Sequence, residues 1–242
     1  MPPSVHIFPC LSDNYGFLIR DEASGMVATV DTPDPARVEE ELERLGWGRL
    51  ALILNTHWHP DHTQGNAALK DRFGCEIVGP EEVRKVAPLD RVLGEGDAVE
   101  VGETRFDVLH TPGHTLGHIV FRAEAAGIAF VGDTLFTLGC GRLFEGAPEQ
   151  MFDSLQRIAA WPEETVLYGA HEYTASNARF ALSLSEDADL RAHAEALFAL
   201  RAEDRPTVPT TLAAEKRFNP FLTAPDARTF AERRAAKDGF RG

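Results

Sequence analysis

Apolar runs of strand length alternate with helical segments over the first part of the chain. Strand-length runs lie at residues 5–8, 15–19, 26–30, 50–55 and 76–78, and helical spacing of apolar residues marks 36–45 and 63–73. An aspartate- and proline-rich break at 31–35 precedes the first helix, for which Thr32 or Asp34 is the predicted cap. This strand–helix–strand rhythm predicts α/β layering.

From about residue 90 the pattern changes to pairs of strands joined by short turns. Residues 97–101 are predicted to pair with 104–109 through Gly102, and 118–122 with 127–131. A helix at 151–160 stops before Pro162, and 165–168 is the last predicted strand. Beyond residue 174 we predict helices at 175–184, 188–203 and about 224–237, with 206–211 an extended connection. The sequence therefore predicts an α/β domain at 1–173 and a helical domain at 174–242.

Composition is that of an ordinary soluble globular protein. The chain has 242 residues, of which 43% are hydrophobic and 26% charged. No apolar run approaches the ~20 residues that span a bilayer, and the N-terminal residues have no secretory pattern. Three widely spaced cysteines, Cys10, Cys75 and Cys140, argue against a disulfide framework. We expect a cytoplasmic protein without a membrane partner.

The charge is unevenly distributed. A net charge of −14 disfavours nucleic acid as the main partner, because phosphate binding needs a basic surface. Residues 213–242 carry seven basic and four acidic side chains, so this tail is net +3. Two interpretations stay open: a solvated helix face, or a surface that holds an anionic ligand close to a repelling body.

The strongest chemical signal lies at Thr56–His62. Between His57 and His62 the chain holds three imidazoles and one carboxylate, the side chains of His57, His59, Asp61 and His62. The stretch follows an apolar run and precedes a helix start, which is where open α/β sheets place their sites. Histidine with carboxylate suits zinc, iron or manganese. The alternative is a polar loop, but nine histidines in 242 residues make this clustering an improbable accident.

Three further metal-type residues each follow a predicted strand. They are His114 in a Pro-Gly turn, Asp133 after Gly132, and His171 after Gly169-Ala170. Each is weak on its own, since an aspartate after glycine is more often a turn residue and a lone histidine is more often structural. Their repetition at strand ends predicts that they converge with the first group on one edge of the sheet.

Together these residues resemble the signature of the metallo-β-lactamase superfamily over residues 1–173. Within that superfamily the whole chain resembles glyoxalase II, the hydroxyacylglutathione hydrolases. The matching segments are Gly132–Phe136, Gly139–Arg142, Phe144–Gly146, Gly169–Thr174, Asn219–Phe221 and the ending with Lys237 and Asp238. The resemblance implies a four-layer αβ/βα sandwich of the metallo-β-lactamase type, with a C-terminal helical domain that binds substrate.

The resemblance also implies two divalent metal ions, with zinc expected first and iron or manganese as alternatives. His57, His59 and His114 would bind one ion, Asp61, His62 and His171 the other, and Asp133 both. A water shared by two such ions loses its proton far below its bulk pKa of ~15.7, which provides a hydroxide. Asp133 and Asp61 are thus the expected catalytic carboxylates, and orienting the hydroxide proton is a second role for Asp61, ranked below its role as a metal ligand.

Similarity to the family places substrate contacts at Arg142, Tyr173, Arg234 and Lys237. Three of these are cations, as a carboxylate-bearing glutathione thioester requires. Many relatives have lysine at Arg142 and tyrosine at Phe144, so one hydroxyl contact is expected to be missing. The alternative is that the charges are simply solvated. Cys140, between two glycines, is expected to be a packing residue.

The expected activity is hydrolysis of S-(2-hydroxyacyl)glutathione, with S-lactoylglutathione yielding D-lactate and glutathione in methylglyoxal detoxification. The expected partner is this small molecule alone, and the expected state is a monomer. The nearest rival is a glutathione persulfide dioxygenase with a single iron, whose members share the Gly-Cys-Gly-Arg segment but diverge after it. A binding module without catalysis is the third possibility. All seven ligand positions hold the expected residue types, which argues against it.

Overall fold

The computed structural model describes residues 1–242, and the chain forms two compact units. The first unit comprises Met1–His110 and Gly117–Gly132, and the second comprises Thr111–Leu116 and Asp133–Gly242. None of the helices has the length and apolar character that crossing a membrane requires. The two units are defined by compactness alone, so the division into domains at residue 173 stays a prediction.

A six-stranded mixed sheet forms the N-terminal part of the first unit. Its strands lie in chain order, antiparallel from the first to the third and parallel from the third to the sixth. They are β1 (Ser4–Cys10), β2 (Asn14–Arg20), β3 (Val27–Val30), β4 (Leu50–Leu54), β5 (Glu76–Gly79) and β6 (Arg91–Val92). The five strands predicted here are confirmed, and β6 is a two-residue addition.

Helix α1 (Pro35–Leu45) connects β3 to β4 and covers this sheet. Of the two predicted caps, Thr32 and Asp34, the structure shows Asp34, which accepts hydrogen bonds from the backbone N–H groups of Ala36 and Arg37. Val38 and Leu42 lie one helical turn apart and are buried in the same apolar cluster as strand residues. Burial of side chains of this size contributes roughly 1.5–3 kcal/mol each.

The single helix predicted at 63–73 is wrong, because the chain breaks at Gly65. Two helices form instead, α2 (Pro60–Thr63) and α3 (Asn66–Phe73). A Cβ atom at Gly65 would lie 2.8 Å from the carbonyl oxygen of Thr32, so only glycine lets the two backbones approach this closely. The break therefore follows from packing against the β3–α1 connection.

The first unit also contains four antiparallel strands. They follow the order β10, β9, β8, β7 and span β7 (Ala98–Val101), β8 (Thr104–His110), β9 (Ile119–Ala123) and β10 (Ile128–Gly132). Gly102 has φ 61° in the turn between β7 and β8, a conformation that favours glycine. Both predicted strand pairs are confirmed.

The second unit is mainly helical. Its helices are α4 (Pro148–Ala159), α5 (Thr174–Leu184), α6 (Ala188–Ala202), α7 (Leu212–Phe218) and α8 (Ala227–Gly239), and its strands are β11 (Leu135–Phe136), β12 (Gly139–Cys140), β13 (Val166–Gly169) and β14 (Thr210–Thr211). The predicted helices are confirmed as α4, α5, α6 and α8. The prediction that strands end at 168 is wrong, since β14 pairs with β13, and α7 was not predicted. Both elements are shorter than the windows in which periodicity is visible.

Glu215 is a fully buried acid on α7. Its carboxylate accepts hydrogen bonds from the backbone N–H of Leu138 at 2.8 Å, from Oγ1 of Thr210 at 2.7 Å and from Nδ2 of Asn219 at 2.8 Å. Burial raises the pKa of Glu215 to about 7, because loss of hydration penalises the charged form more than these hydrogen bonds favour it.

The raised pKa makes stability depend on pH with a defined sign. A folded-state pKa of about 7 against an ordinary value of 4.5 means that the stabilising contribution of Glu215 is complete below about pH 4.5. The contribution is lost as pH rises through 7. Glu215→Gln stays neutral throughout. Between pH 5 and pH 8 the wild type should lose about 2–3 kcal/mol of unfolding free energy relative to Glu215→Gln, measured by urea unfolding. Parallel pH profiles for the two proteins would contradict this assignment.

Candidate active site

The bend between β4 and α2 brings together the four metal-type residues of the first unit. Pro60 at the first helical position has the φ that a helix start requires, so α2 begins immediately after His59. His57 and His62 are almost completely buried, with 0% and 1% exposure. The four side chains on this bend are His57, His59, Asp61 and His62.

Atoms of the kind that bind metals face one another within this bend. Nε2 of His57 lies 2.9 Å from Nδ1 of His59, and Nε2 of His62 lies 3.4 Å from Oδ2 of Asp61. Ligand-type atoms of His57 and His62 also lie within 4.8 Å of each other. Imidazole nitrogens and a carboxylate at such separations fit a divalent cation.

Asp31, at the end of β3, orients this bend. Its carboxylate accepts hydrogen bonds from the backbone N–H of Thr56, from Oγ1 of Thr56 and from Nδ1 of His62, each at 2.8 Å. Because Nδ1 of His62 faces a carboxylate, Nε2 is the nitrogen available to a metal. Asp31 has φ 56°, a conformation that is uncommon for a residue with a side chain.

Thr56 connects Asp31 to His57 and so fixes which ring nitrogen of His57 carries the proton. Its hydroxyl donates to Asp31 and therefore accepts from Nδ1 of His57 at 3.0 Å, which leaves Nε2 of His57 as a lone-pair donor. Asn14 restrains Asp61, because its Nδ2 donates to Oδ2 of Asp61 at 3.0 Å. His118 is fully buried and stacks on His57, with ring centroids 4.9 Å apart.

Sequence reasoning missed Asp31 and Asn14 as parts of the site. The aspartate–proline cluster at 31–35 predicts only a strand break at Asp31, although Asp31 follows an apolar strand just as Asp133 does. That shared position after a strand was the available signal. Asn14 carried no comparable signal, since its role depends on a contact with Asp61 across 47 positions of sequence.

The second unit brings Asp133 together with two imidazoles. Oδ2 of Asp133 lies 3.2 Å from Nε2 of His114, and Oδ1 lies 3.3 Å from Nε2 of His171. Nδ1 of His114 donates to the carbonyl of Arg142 at 2.8 Å, so Nε2 of this ring is the nitrogen without a proton. A carboxylate with one oxygen toward each imidazole has the arrangement expected of a bridging metal ligand.

Two glycines make this cluster possible. Gly113, with φ 154°, lies so close to Met151 that a Cβ atom would be 2.6 Å from that side chain. At Gly141 a Cβ atom would lie 2.0 Å from the carbonyl oxygen of Asp133. The Pro-Gly turn and the Gly-Cys-Gly segment are therefore close-packing features that position His114 and Asp133.

The four predicted substrate residues all lie in the second unit, in different environments. The Arg142 side chain is 69% exposed, and its Nε lies 3.9 Å from Oδ1 of Asp238. The Tyr173 ring stacks on His171, with centroids 4.9 Å apart and planes within 3°. Phe144 is 63% exposed.

Arg234 is buried rather than presented to solvent, at 5% exposure. Its Nη1 donates to the carbonyl of Cys140 and its Nη2 to Oδ1 of Asp238, both at 2.9 Å. The guanidinium also lies over the Phe221 ring, 4.9 Å from its centroid. These contacts attach α8 to β12. The prediction that Arg234 touches substrate stays a prediction, with an anchoring role now visible beside it.

Lys237 lies one turn after Arg234 on α8. Its ammonium donates to Oγ of Ser176 at 2.7 Å. Partial burial, followed by the nearby Arg234 and Arg142 charges, lowers the pKa of Lys237 to about 8. Burial likewise raises the pKa of Cys140 to about 11, which makes that thiol a poor nucleophile and agrees with a packing role.

Comparison with known proteins places this geometry in a family. The description "Metallo-beta-lactamase superfamily" matches residues 18–171, and "Hydroxyacylglutathione hydrolase C-terminus" matches residues 172–240. The hydroxyacylglutathione hydrolase of Erythrobacter litoralis (strain HTCC2594) is 49% identical over 249 residues, covering 98% of this chain and 99% of that protein. The corresponding protein of Maricaulis maris (strain MCS10) is 48% identical over 249 residues, covering 96% and 97%.

Among solved structures, the crystal structure of ETHE1 from Myxococcus xanthus is similar with a TM-score of 0.75 and 28% identity, covering 100% of this chain and 93% of that chain. The fold is thus that of the metallo-β-lactamase type, α/β with a C-terminal helical region, as predicted. Within that superfamily, the chain belongs to the hydroxyacylglutathione hydrolase family. Family membership and the histidine–aspartate donor set together establish divalent-metal binding.

Asp31→Asn should weaken metal binding without unfolding the protein. An amide cannot accept from both Thr56 and His62 as the carboxylate does, so the His62 ring loses its orientation. Loss of such a supporting contact typically weakens metal affinity by about 10–100-fold. Metal content after dialysis against a weak chelator measures the effect, and Asp107→Asn, at a strand position whose side chain is 46% exposed, is the matched control. Equal metal retention in both variants would disprove the orienting role.

Proposed function

We propose that the protein hydrolyses the thioester of S-(2-hydroxyacyl)glutathione, with S-lactoylglutathione as its substrate, releasing glutathione and D-lactate in methylglyoxal detoxification. The observation that carries this proposal is the family match through residues 172–240, the region that contains three of the four proposed substrate residues. The same match begins at residue 172, which supports a catalytic domain at 1–173 and a substrate-binding domain at 174–242.

Two metal ions per chain are the proposed cofactor, zinc first, with iron or manganese as alternatives. His57, His59 and His114 would hold one ion, Asp61, His62 and His171 the other, and Asp133 both. Support comes from the tautomers: neighbours occupy Nδ1 of His57, His62 and His114, so each ring has Nε2 available. The two oxygens of Asp133 face different imidazoles, as a shared ligand should.

When bound, two such ions supply an acidified water and positive charge for the thioester carbonyl. Asp61 would orient the proton of that water through its carboxylate, which Asn14 restrains at Oδ2. The leaving thiolate needs no dedicated acid, because a thiol has an ordinary pKa of about 8.5. The side chains therefore have to orient the water and bind the substrate, and no side chain has to protonate the leaving thiolate.

Recognition of glutathione is assigned to the basic surface of the second unit. Arg142 and Lys237 would contact its carboxylates, and Tyr173 would contact the peptide beside His171. Arg234 contributes charge from a buried position and restrains α8. Fixed cations are effective here because the remainder of the chain is strongly acidic and would repel the substrate.

The proposed setting is the cytoplasm, with a monomer that acts on this small molecule and on neither nucleic acid nor membrane. The net charge of −14 and three free, buried cysteines support this. The rival activity, oxidation of glutathione persulfide with a single iron, is not favoured by the more distant ETHE1 structure, while the named hydrolases match nearly full length. Oxygen uptake with glutathione persulfide, in the absence of thioester cleavage, would reverse this choice.

Asp133→Ala should lower kcat for S-lactoylglutathione by at least about two orders of magnitude, since a shared ligand and several kcal/mol of charge stabilisation are lost. Loss of thioester absorbance measures the rate, and metal analysis is done on the same samples. Asp153→Ala, on the exposed face of α4, is the control and should retain full activity. Undiminished hydrolysis by Asp133→Ala would refute the metal-based proposal.

The lowered pKa of Lys237 predicts a pH dependence of substrate binding. The ammonium is charged below about pH 8 and loses its proton above it. KM for S-lactoylglutathione should therefore rise by up to about tenfold between pH 7 and pH 9. Lys237→Arg remains charged and should show a flat KM over this range, after subtraction of the uncatalysed rate. A rise of the same size in Lys237→Arg would mean that another group titrates.

A further inference from the structure

The hairpin formed by β11 and β12 connects the proposed metal ligands to the proposed substrate cations. Asp133 lies two residues before β11, and Arg142 lies two residues after β12. Leu135 pairs with Cys140 and Phe136 with Gly139, so only two residues form the turn. One of them, Leu138, has φ 55°, in the left-handed region that costs a leucine about 1–2 kcal/mol. Such a turn persists only if its surroundings hold it.

Asn219 holds both ends of that turn. Its Nδ2 donates to the carbonyl of Phe136 at 3.3 Å and to the carbonyl of Gly139 at 2.9 Å. Its Oδ1 accepts from the backbone N–H of Phe221 at 2.9 Å, which fixes the orientation of the amide. Asn219 is fully buried, so no solvent competes for these contacts. The Asn219-Pro220-Phe221 segment, which no part of the proposed chemistry uses, thus acts on the hairpin.

Glu215 holds the turn at its strained residue. The carboxylate accepts from the backbone N–H of Leu138, and a second contact joins it to Nδ2 of Asn219. Oγ1 of Thr210 donates to its other oxygen. Glu215 and Asn219 are one helical turn apart, at the end of α7, and together form what we call the hairpin clamp.

Two sets of intermediate residues connect the clamp to Arg234 and Lys237. The carbonyl of Cys140, at the end of β12, accepts from Arg234. Phe221 lies beneath the guanidinium of Arg234 and packs on Phe180, whose ring centroid is 5.7 Å from Nζ of Lys237. Displacement of the hairpin would therefore move the anchor of α8, on which both cations lie.

We propose that Glu215 and Asn219 are positioning residues for recognition of the glutathione moiety, acting through the hairpin on Arg142, Arg234 and Lys237. This inference rests on the proposed function. A role confined to stability would lower unfolding free energy and leave ligand affinity in the folded protein unchanged. A positioning role raises Kd and KM while kcat stays nearly constant.

The test uses S-methylglutathione, a thioether that contains no thioester to hydrolyse, together with S-lactoylglutathione. In Glu215→Ala, Kd by calorimetry and KM should each rise about tenfold, the effect of losing a set of buried hydrogen bonds, with kcat within about threefold. Glu215→Gln should restore both values, because its carbonyl can accept from Leu138 and Asn219 while its amide donates to Thr210. Asn219→Ser is a milder second variant with the same expected direction.

Val38→Ala, in the core of the first unit, is the control for lost stability and should leave Kd and KM unchanged. Unchanged Kd in Glu215→Ala and Asn219→Ser, or a fall in kcat alone, would overturn the clamp. Wild-type protein that binds S-methylglutathione but leaves S-lactoylglutathione intact would refute the proposed function instead, and the clamp would still be decided by Kd. Wild-type protein that does not bind S-methylglutathione would overturn the clamp as well.

Discussion

A hydrogen bond to one ring nitrogen of an imidazole fixes its tautomer and leaves the other nitrogen available to a metal, and three histidines of the site are held in this way. His62 has the Asp31 carboxylate, His57 has the Thr56 hydroxyl and His114 has the Arg142 carbonyl. The first two partners depend on the parallel pairing of β3 with β4. Because Val30 lies opposite Leu54, the residues that follow both strands emerge side by side. The register of β3 against β4 therefore places the partners that leave Nε2 of His57 and of His62 available to a metal.

The proposed substrate-binding residues have a different requirement, which is that cations are held in place near one another. Arg234 is buried, and its charge is compensated by the Cys140 carbonyl, by Asp238 and by the face of Phe221. With that arginine fixed, Lys237 is held one turn further along α8 at reduced basicity. Under the proposed function, specificity would thus depend on buried contacts that hold these cations in place.

Much of this could be predicted from the sequence, because strands and ligand positions leave local signals. The apolar runs and the residues that follow them predict His57, Asp133 and their companions as metal ligands, and the structure brings the members of each unit close together. What could not be predicted depends on contacts between distant segments. Gly65 interrupts a well-formed helical pattern only because Thr32 lies against it, and Asn14 joins the site only through Asp61.

Burial of charge was also invisible in sequence. Glu215 and Arg234 both lie in the charged segment 213–242, whose side chains would be expected at the surface, yet both are buried. For Glu215 the consequence is a pKa near 7, and for Arg234 it is an anchoring contact beside its proposed role in binding. Exposure is set by packing of α7 and α8, which periodicity in such short and polar helices does not reveal.

Removal and return of the metal ions is the decisive experiment for this site. Protein stripped of metal by a strong chelator would be titrated with zinc while hydrolysis of S-lactoylglutathione is followed. Activity should be negligible at the start and should rise until it levels off at about two equivalents of zinc per chain. Full activity in protein shown by elemental analysis to be free of metal would contradict this expectation.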